Sequence, residues 1–142
     1  MLFPKQEGLL HLHYTYTHQI TYLPFCVRQV SCIYRNSYLP LHMSTVVSYF
    51  SQYIKPELTG SPAWCDSDSR KIKWHIPVGA TYDMLFGLRG QGQVWNVTVH
   101  FSDYPEKELL RCLSVDCVKA HFMSTLKEAD SLKHNSVSIE II

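Results

Sequence analysis

Asp66-Ser67-Asp68-Ser69-Arg70-Lys71-Ile72-Lys73-Trp74-His75-Ile76-Pro77-Val78-Gly79 carries three structural instructions in one short stretch. The Asp/Ser cluster predicts a turn between two strands, because short polar side chains bond to the local backbone and interrupt a ladder. Lys71 to His75 reads as a strand. Pro77 then starts a helix reaching about Phe86, since its φ is preset for a first helical turn and its missing N–H costs nothing there. Gly87-Leu88-Arg89-Gly90-Gln91-Gly92 reads as a loop. The run from Trp95 to Phe101 is the next strand.

Upstream, Thr45 to Ile54 predicts a short helix closed by Pro56. Leu58-Thr59-Gly60-Ser61-Pro62 reads as a turn. Residues 1–36 are rich in Tyr, His and Thr, and Thr15-Tyr16-Thr17 and Gln29-Val30-Ser31-Cys32-Ile33-Tyr34 show the β-prone, partly alternating pattern of strands. Strands, helix, strands, short helix, strand is the order of a β-grasp, ubiquitin-like domain. The fold expected is therefore α+β. Residues 1–36 form an amino-terminal segment that supplies first strands, 37–110 the ubiquitin-like domain, and 111–142 the start of a helical region.

The helical region is periodic. Ser114 is placed as an N-cap, with Asp116 in the first turn to complement the positive helix end. Val115, Val118, Phe122, Leu126, Ala129 and Leu132 follow i, i+3, i+4 spacing and make one apolar stripe, with Phe122 at its centre as a core anchor. Lys133 and His134 suit the last turn, and Asn135 the stop. At roughly 100° per residue, Lys127 lies about 140° from the centre of the stripe and so faces solvent. On geometry alone such a lysine is an ordinary surface residue, paired with Asp130 at i+3.

Composition narrows the function classes. A chain of 142 residues, 46% hydrophobic, buries one core. A net charge of +1 gives no broad footprint for nucleic acid or an anionic membrane. No run of about 18 apolar residues spans a bilayer, and no basic segment followed by an apolar core opens the chain as a secretory signal. Five cysteines at irregular spacings suit reduced thiols in the cytosol better than a disulfide framework. The sequon Asn96-Val97-Thr98 sits inside a strand and is discounted.

Motifs for chemistry are weak. The glycines at 87, 90 and 92 lack a following Lys-Ser/Thr, so they are no phosphate loop. His11, His13 and His18 lack a Cys or carboxylate at ligand spacing, and Cys112 and Cys117 have the wrong spacing for a zinc knuckle; no metal is expected. His75 and His100 fall on strands, where a hydrogen-bonded structural role is commoner than catalysis. A nucleophilic pair of Cys65 with His75 has nothing to orient it.

Several blocks resemble the autophagy protein 5 family. Lys71-Ile72-Lys73-Trp74-His75-Ile76-Pro77-Val78-Gly79 is similar to the family's lysine-tryptophan-histidine, proline-apolar-glycine stretch. Trp95-Asn96-Val97-Thr98-Val99-His100-Phe101 and Tyr104-Pro105-Glu106-Lys107-Glu108-Leu109-Leu110 match the next block. Ala120-His121-Phe122-Met123-Ser124-Thr125-Leu126-Lys127-Glu128-Ala129-Asp130-Ser131-Leu132-Lys133-His134 matches the family's acceptor helix. From about Ser37 to Ile139 the order and spacing fit, with Trp74, Pro77 and Trp95 as further structural anchors. Residues 1–36 show no counterpart of the tryptophan-bearing helix that opens the family. The chain also ends where the family continues towards a second ubiquitin-like domain, so it reads as an amino-terminal half.

The resemblance implies a conjugation scaffold rather than an enzyme. Lys127 would accept the ubiquitin-like autophagy protein 12 through an isopeptide bond, from a carrier enzyme of the autophagy conjugation system. A lysine amine must lose its proton, from a reference pKa of about 10.4, to attack. The conjugate would act with autophagy protein 16, here with a weakened interface, to promote lipidation of autophagy protein 8. The location implied is cytoplasmic and peripheral at the phagophore assembly site membrane, with no cofactor and no nucleic acid. The alternatives are an unconjugated ubiquitin-like interaction module and a cysteine-dependent enzyme.

Overall fold

A computed structural model describes residues 8–20, 23–55, 57, 62–87, 93–112 and 114–134. Strand β1 (Leu9–Ile20) pairs antiparallel with β2 (Leu23–Tyr34), and these hold both β-prone runs of the amino-terminal segment. Alternation decides which face is inside: Leu10, Leu12, Tyr14 and Tyr16 are all buried, while His11 between them and Thr17 just beyond them are exposed.

Helix α1 spans Pro40–Phe50, so it starts and ends earlier than the predicted Thr45–Ile54. Proline fits the first helical turn, and a residue that reads as a boundary is here a start. Beyond Phe50 the chain tightens into a turn, with the Tyr53 N–H donating to the Phe50 carbonyl at 2.9 Å, and Ile54 reaches the core from a bend.

Strands β3 (Trp64–Ser67) and β4 (Arg70–Lys71) form a tight hairpin. Its two linking residues, Asp68 (φ 48°) and Ser69 (φ 64°), are both left-handed, which matches the right-handed twist of the flanking strands. The strand expected to reach His75 is shorter. Ile72 still donates its N–H to the Cys65 carbonyl at 2.9 Å, and Trp74 and His75 then lie in a turn. Trp74 is thus half-buried in a turn rather than a core residue on a strand. Its indole is anchored from outside the sheet instead, donating from Nε1 to the Leu110 carbonyl at 2.7 Å.

Helix α2 spans Val78–Phe86, with Pro77 extended (ψ 139°) at its N-cap. The orphan N–H groups of its first turn are satisfied from outside: Val78 donates to the Ser37 carbonyl at 2.9 Å and Gly79 to the Arg35 carbonyl at 2.8 Å. A Cβ on Gly79 would sit 2.7 Å from the Cβ of Arg35, so glycine permits this approach. Of the two glycine- and proline-rich loops expected, 58–61 and 88–92 lie outside the described residues, as does the side chain of His18.

Strand β5 (Trp95–His100) is the central strand of the sheet, parallel to β1 and antiparallel to β3, in the order β2-β1-β5-β3-β4. This five-stranded mixed sheet with helices between its strands in sequence is an α+β, ubiquitin-like domain. The core includes Leu12, Tyr14, Val46, Phe50, Val78, Trp95, Val97 and Val99, all buried. Trp95 is 1% exposed, and its Nε1 donates to Ser67 Oγ at 2.9 Å, so the largest buried ring carries no orphan donor.

Helix α3 spans Val115–His134 and starts directly after Ser114. Its apolar stripe is mostly uncovered. Val118 is 5% exposed, yet Phe122 is 48% and Leu132 79% exposed. Phe122 is therefore no core anchor in this chain. A 3.6-residue period fixes which residues share a face, but it does not supply a surface to cover them.

Candidate functional site

The root of α3 is held by polar anchors as well as by Val118. The Leu110 carbonyl accepts from two aromatic donors, Trp74 Nε1 at 2.7 Å and the Tyr104 hydroxyl at 2.6 Å. An ion pair between Arg111 and Glu106, with the Arg111 guanidinium 6.0 Å from the Tyr104 ring centroid, braces the same segment. Lys71 Nζ reaches Glu108 Oε2 at 2.9 Å and ties the segment to β4. Beneath lies an apolar cleft of about 330 Å³ between α1, β3 and the root, lined by Met43, Val47, Trp64, Ile72, Leu109 and Val115.

One turn further on, His121 meets the ubiquitin-like domain. Its ring centroid lies 5.6 Å from that of Trp74 and 4.9 Å from that of His75. Burial, then the neighbouring His121 and Lys73, hold the His75 imidazole below the usual histidine range. The buried Nδ1 of His75 has no hydrogen-bond partner, which adds to the cost of charging that ring. No sequence signal pointed to His121 or Tyr104, because a contact between distant segments leaves no local pattern.

Beyond His121 the helix presents its polar side. Lys127 is exposed, and among the described residues no ion pair or hydrogen bond engages its amine. The i+3 partner expected for it is otherwise occupied: Asp130 Oδ1 lies 3.2 Å from Nε2 of His134. Lys119 and Lys133 are exposed as well, although they border the apolar stripe. Exposure alone therefore does not select among the three lysines.

The other candidates fall into structural places. Cys65 is 1% exposed in the core, its thiol 3.8 Å from Met43 Sδ, and burial followed by the adjacent Asp66 pushes its ionisation far upward. That is the opposite of an activated nucleophile. His75 faces Trp74 and His121 rather than Cys65. The His100 ring stacks on Trp64 at 4.1 Å, with its Nε2 3.1 Å from Asp66 Oδ2. His11 Nδ1 lies 3.0 Å from Cys32 Sγ across the β1–β2 hairpin. No group of three or more His, Cys, Asp or Glu side chains placed to hold a metal occurs among the described residues. No described helix is long and apolar enough to cross a membrane.

Residues 6–101 match the family model for the UblA domain of autophagy protein ATG5. The match begins within the amino-terminal segment, upstream of Ser37, where the resemblance in sequence blocks starts. Autophagy protein 5 of Drosophila melanogaster is 40% identical over 107 residues, covering 75% of this chain and 39% of that protein. Autophagy protein 5 of Arabidopsis thaliana is 36% identical over 95 residues, covering 67% of this chain and 27% of that protein. In fold, the chain is similar to the crystal structure of Kluyveromyces marxianus Atg5, with a TM-score of 0.75 at 18% identity over 94% of this chain and 55% of that one. The chain thus spans well under half the length of these two relatives in sequence.

Proposed function

The chain belongs to the autophagy protein 5 family, and from that premise we propose that it serves in autophagy as a conjugation scaffold whose acceptor is Lys127. The observation that carries this reading is the position of Lys127: its amine stands in water on the helix that matches the family's acceptor helix, with Asp130 engaged by His134 instead. The Lys-Glu-Ala-Asp run at 127–130 resembles the family's acceptor motif, and this resemblance favours Lys127 over the equally exposed Lys119 and Lys133.

In this reaction the neutral Lys127 Nζ attacks the thioester carbonyl at the C-terminal glycine of autophagy protein 12. An isopeptide bond forms, the carrier enzyme's cysteine leaves as a thiolate, and the amine proton passes to solvent or to a base on the carrier. The catalytic cysteine belongs to the carrier, so this chain contributes a positioned nucleophile and a folded platform. The conjugate, with autophagy protein 16, promotes lipidation of autophagy protein 8. It works from the cytoplasm, peripherally at the phagophore assembly site membrane.

Incubation with the activating and carrier enzymes, ATP and autophagy protein 12 tests the proposal. A product larger by the mass of one modifier, with its branched peptide mapped to Lys127, supports it. A branched peptide mapped to Lys119 or Lys133 overturns the assignment.

A further inference from the structure

Of the five cysteines, Cys65 is buried, and Cys26 and Cys32 are exposed along β2. Cys112 and Cys117 differ from these because they are neighbours. Cys112 lies shortly before α3, and Cys117 lies in the first turn of that helix, its N–H donating to the Ser114 carbonyl at 3.1 Å. The Cys112 thiol donates to the same Ser114 carbonyl at 3.2 Å, and the Cys117 thiol is close enough to push the Cys112 ionisation upward. Ser114 Oγ approaches Cys117 Sγ at 3.9 Å. Both cysteines are partly accessible. Ser114 thus gathers two thiols at the point where α3 leaves the ubiquitin-like domain.

We propose that Cys112 and Cys117 form an oxidisable dithiol, closed to a disulfide by hydrogen peroxide, that pins the first turn of α3 to the preceding loop. Cys117 is the sulfur that attacks peroxide first, because the Cys112 thiol is committed to the Ser114 carbonyl at 3.2 Å. Cys112 is held as the thiol by burial, then by Cys117. The Cys117 sulfur breaks the O–O bond of peroxide and takes one oxygen as a sulfenic acid, and the first water leaves. Cys112 sulfur then attacks the sulfenic sulfur, the S–S bond forms, and the second water leaves with the Cys112 proton. Two thiols are oxidised by two electrons, and one peroxide is reduced to two waters.

The consequence lies at the helix root. Val118 is the buried residue of α3, and the rest of its apolar stripe is exposed, so the tether at 112–117 adds a covalent hold where packing is thin. The proposal stands on these thiols whatever Lys127 receives.

The test is to treat the reduced full chain with about one equivalent of hydrogen peroxide, block remaining thiols and map peptides without reduction. A Cys112–Cys117 crosslink, lighter by about 2 Da and reversed by dithiothreitol, is expected as the main product, with Cys26 and Cys32 recovered as thiols. Cys112→Ser is expected to abolish the crosslink and leave a sulfenic acid trappable at Cys117. Hydrogen exchange in the first turns of α3 is expected to slow about tenfold in the oxidised chain. Recovery of Cys112 and Cys117 as free thiols while Cys26 or Cys32 is oxidised overturns the dithiol. A crosslink with unchanged exchange in α3 overturns its role as a tether.

Discussion

Asp130 lies against His134 one turn on, with Oδ1 3.2 Å from Nε2, and not against Lys127 one turn back. Both spacings are geometrically open to Asp130, since i−3 and i+4 neighbours lie on the same strip of a helix. The consequence is an amine with no partner on the helix among the described residues. Asp130→Asn is therefore expected to leave the rate of Lys127 acylation by an amine-reactive ester unchanged. A rise of several-fold in that rate would mean that the carboxylate shields Lys127 in solution.

The turn that carries Trp74 and His75 makes stability depend on pH. His75 titrates below its ordinary value, chiefly because of burial, and His42 is lowered by burial too. A histidine depressed in the folded state favours folding while it is neutral. That contribution is present above the unfolded value of about 6.5 and lost as pH falls from there through the folded value. Melting temperature is expected to drop as pH falls below about 6.5, and His75→Gln is expected to flatten part of that slope. A melting temperature that rises on acidification in this range would contradict the placement of His75.

Exposure separates two aromatic residues that sequence alone ranks together. Trp95→Ala removes a ring that is 1% exposed and hydrogen-bonded to Ser67, and is expected to cost about 3–5 kcal/mol. Phe122, at 48% exposed, offers far less contact, so Phe122→Ala is expected to cost about 1 kcal/mol or less in this chain. Urea denaturation of both variants gives the comparison. Equal losses would mean that α3 docks more closely than its exposure indicates.

Gly79 tests the contact between α2 and the segment after β2. Its Cβ would lie 2.7 Å from Arg35 Cβ and 2.8 Å from the Arg35 carbonyl oxygen, which is backbone and cannot swing aside. The same Arg35 carbonyl accepts the Gly79 N–H, and Arg35 Nη2 is 2.5 Å from Asp83 Oδ2. Gly79→Ala is expected to destabilise by about 1–3 kcal/mol through overpacking, although alanine is the better helix former. A stabilised variant by thermal melt would contradict this approach.

Local chemistry was the legible part of this fold. The Asp68-Ser69 turn, the helix opened by Pro77 and the limits of α3 follow from turn residues, proline and period, which act within a few positions of themselves. The start of α1 at Pro40 is not legible in the sequence, because proline marks boundaries of both kinds. The early end of β4 is not legible either, because the Trp74 indole is anchored to Leu110, far away in sequence. At the candidate site, the exposure of Lys127 was readable from the helical wheel. The His134 contact that occupies Asp130 was not, because two partners at equal reach compete and only side-chain placement decides. Burial of Phe122 was expected from a stripe that needs a second surface, and a period cannot say whether that surface is present.

The central claim is the acceptor, and one variant tests it. Lys127→Arg keeps the charge at an exposed helix position, so stability is expected to change by no more than about 0.5 kcal/mol. The guanidinium stays protonated and cannot attack a thioester. In a reconstituted reaction with activating enzyme, carrier enzyme, ATP and autophagy protein 12, the unmodified chain, Lys119→Arg and Lys133→Arg should each give the conjugate, and Lys127→Arg should give none. A folded Lys127→Arg chain that still forms the conjugate, with its branched peptide at another lysine, would contradict the claim.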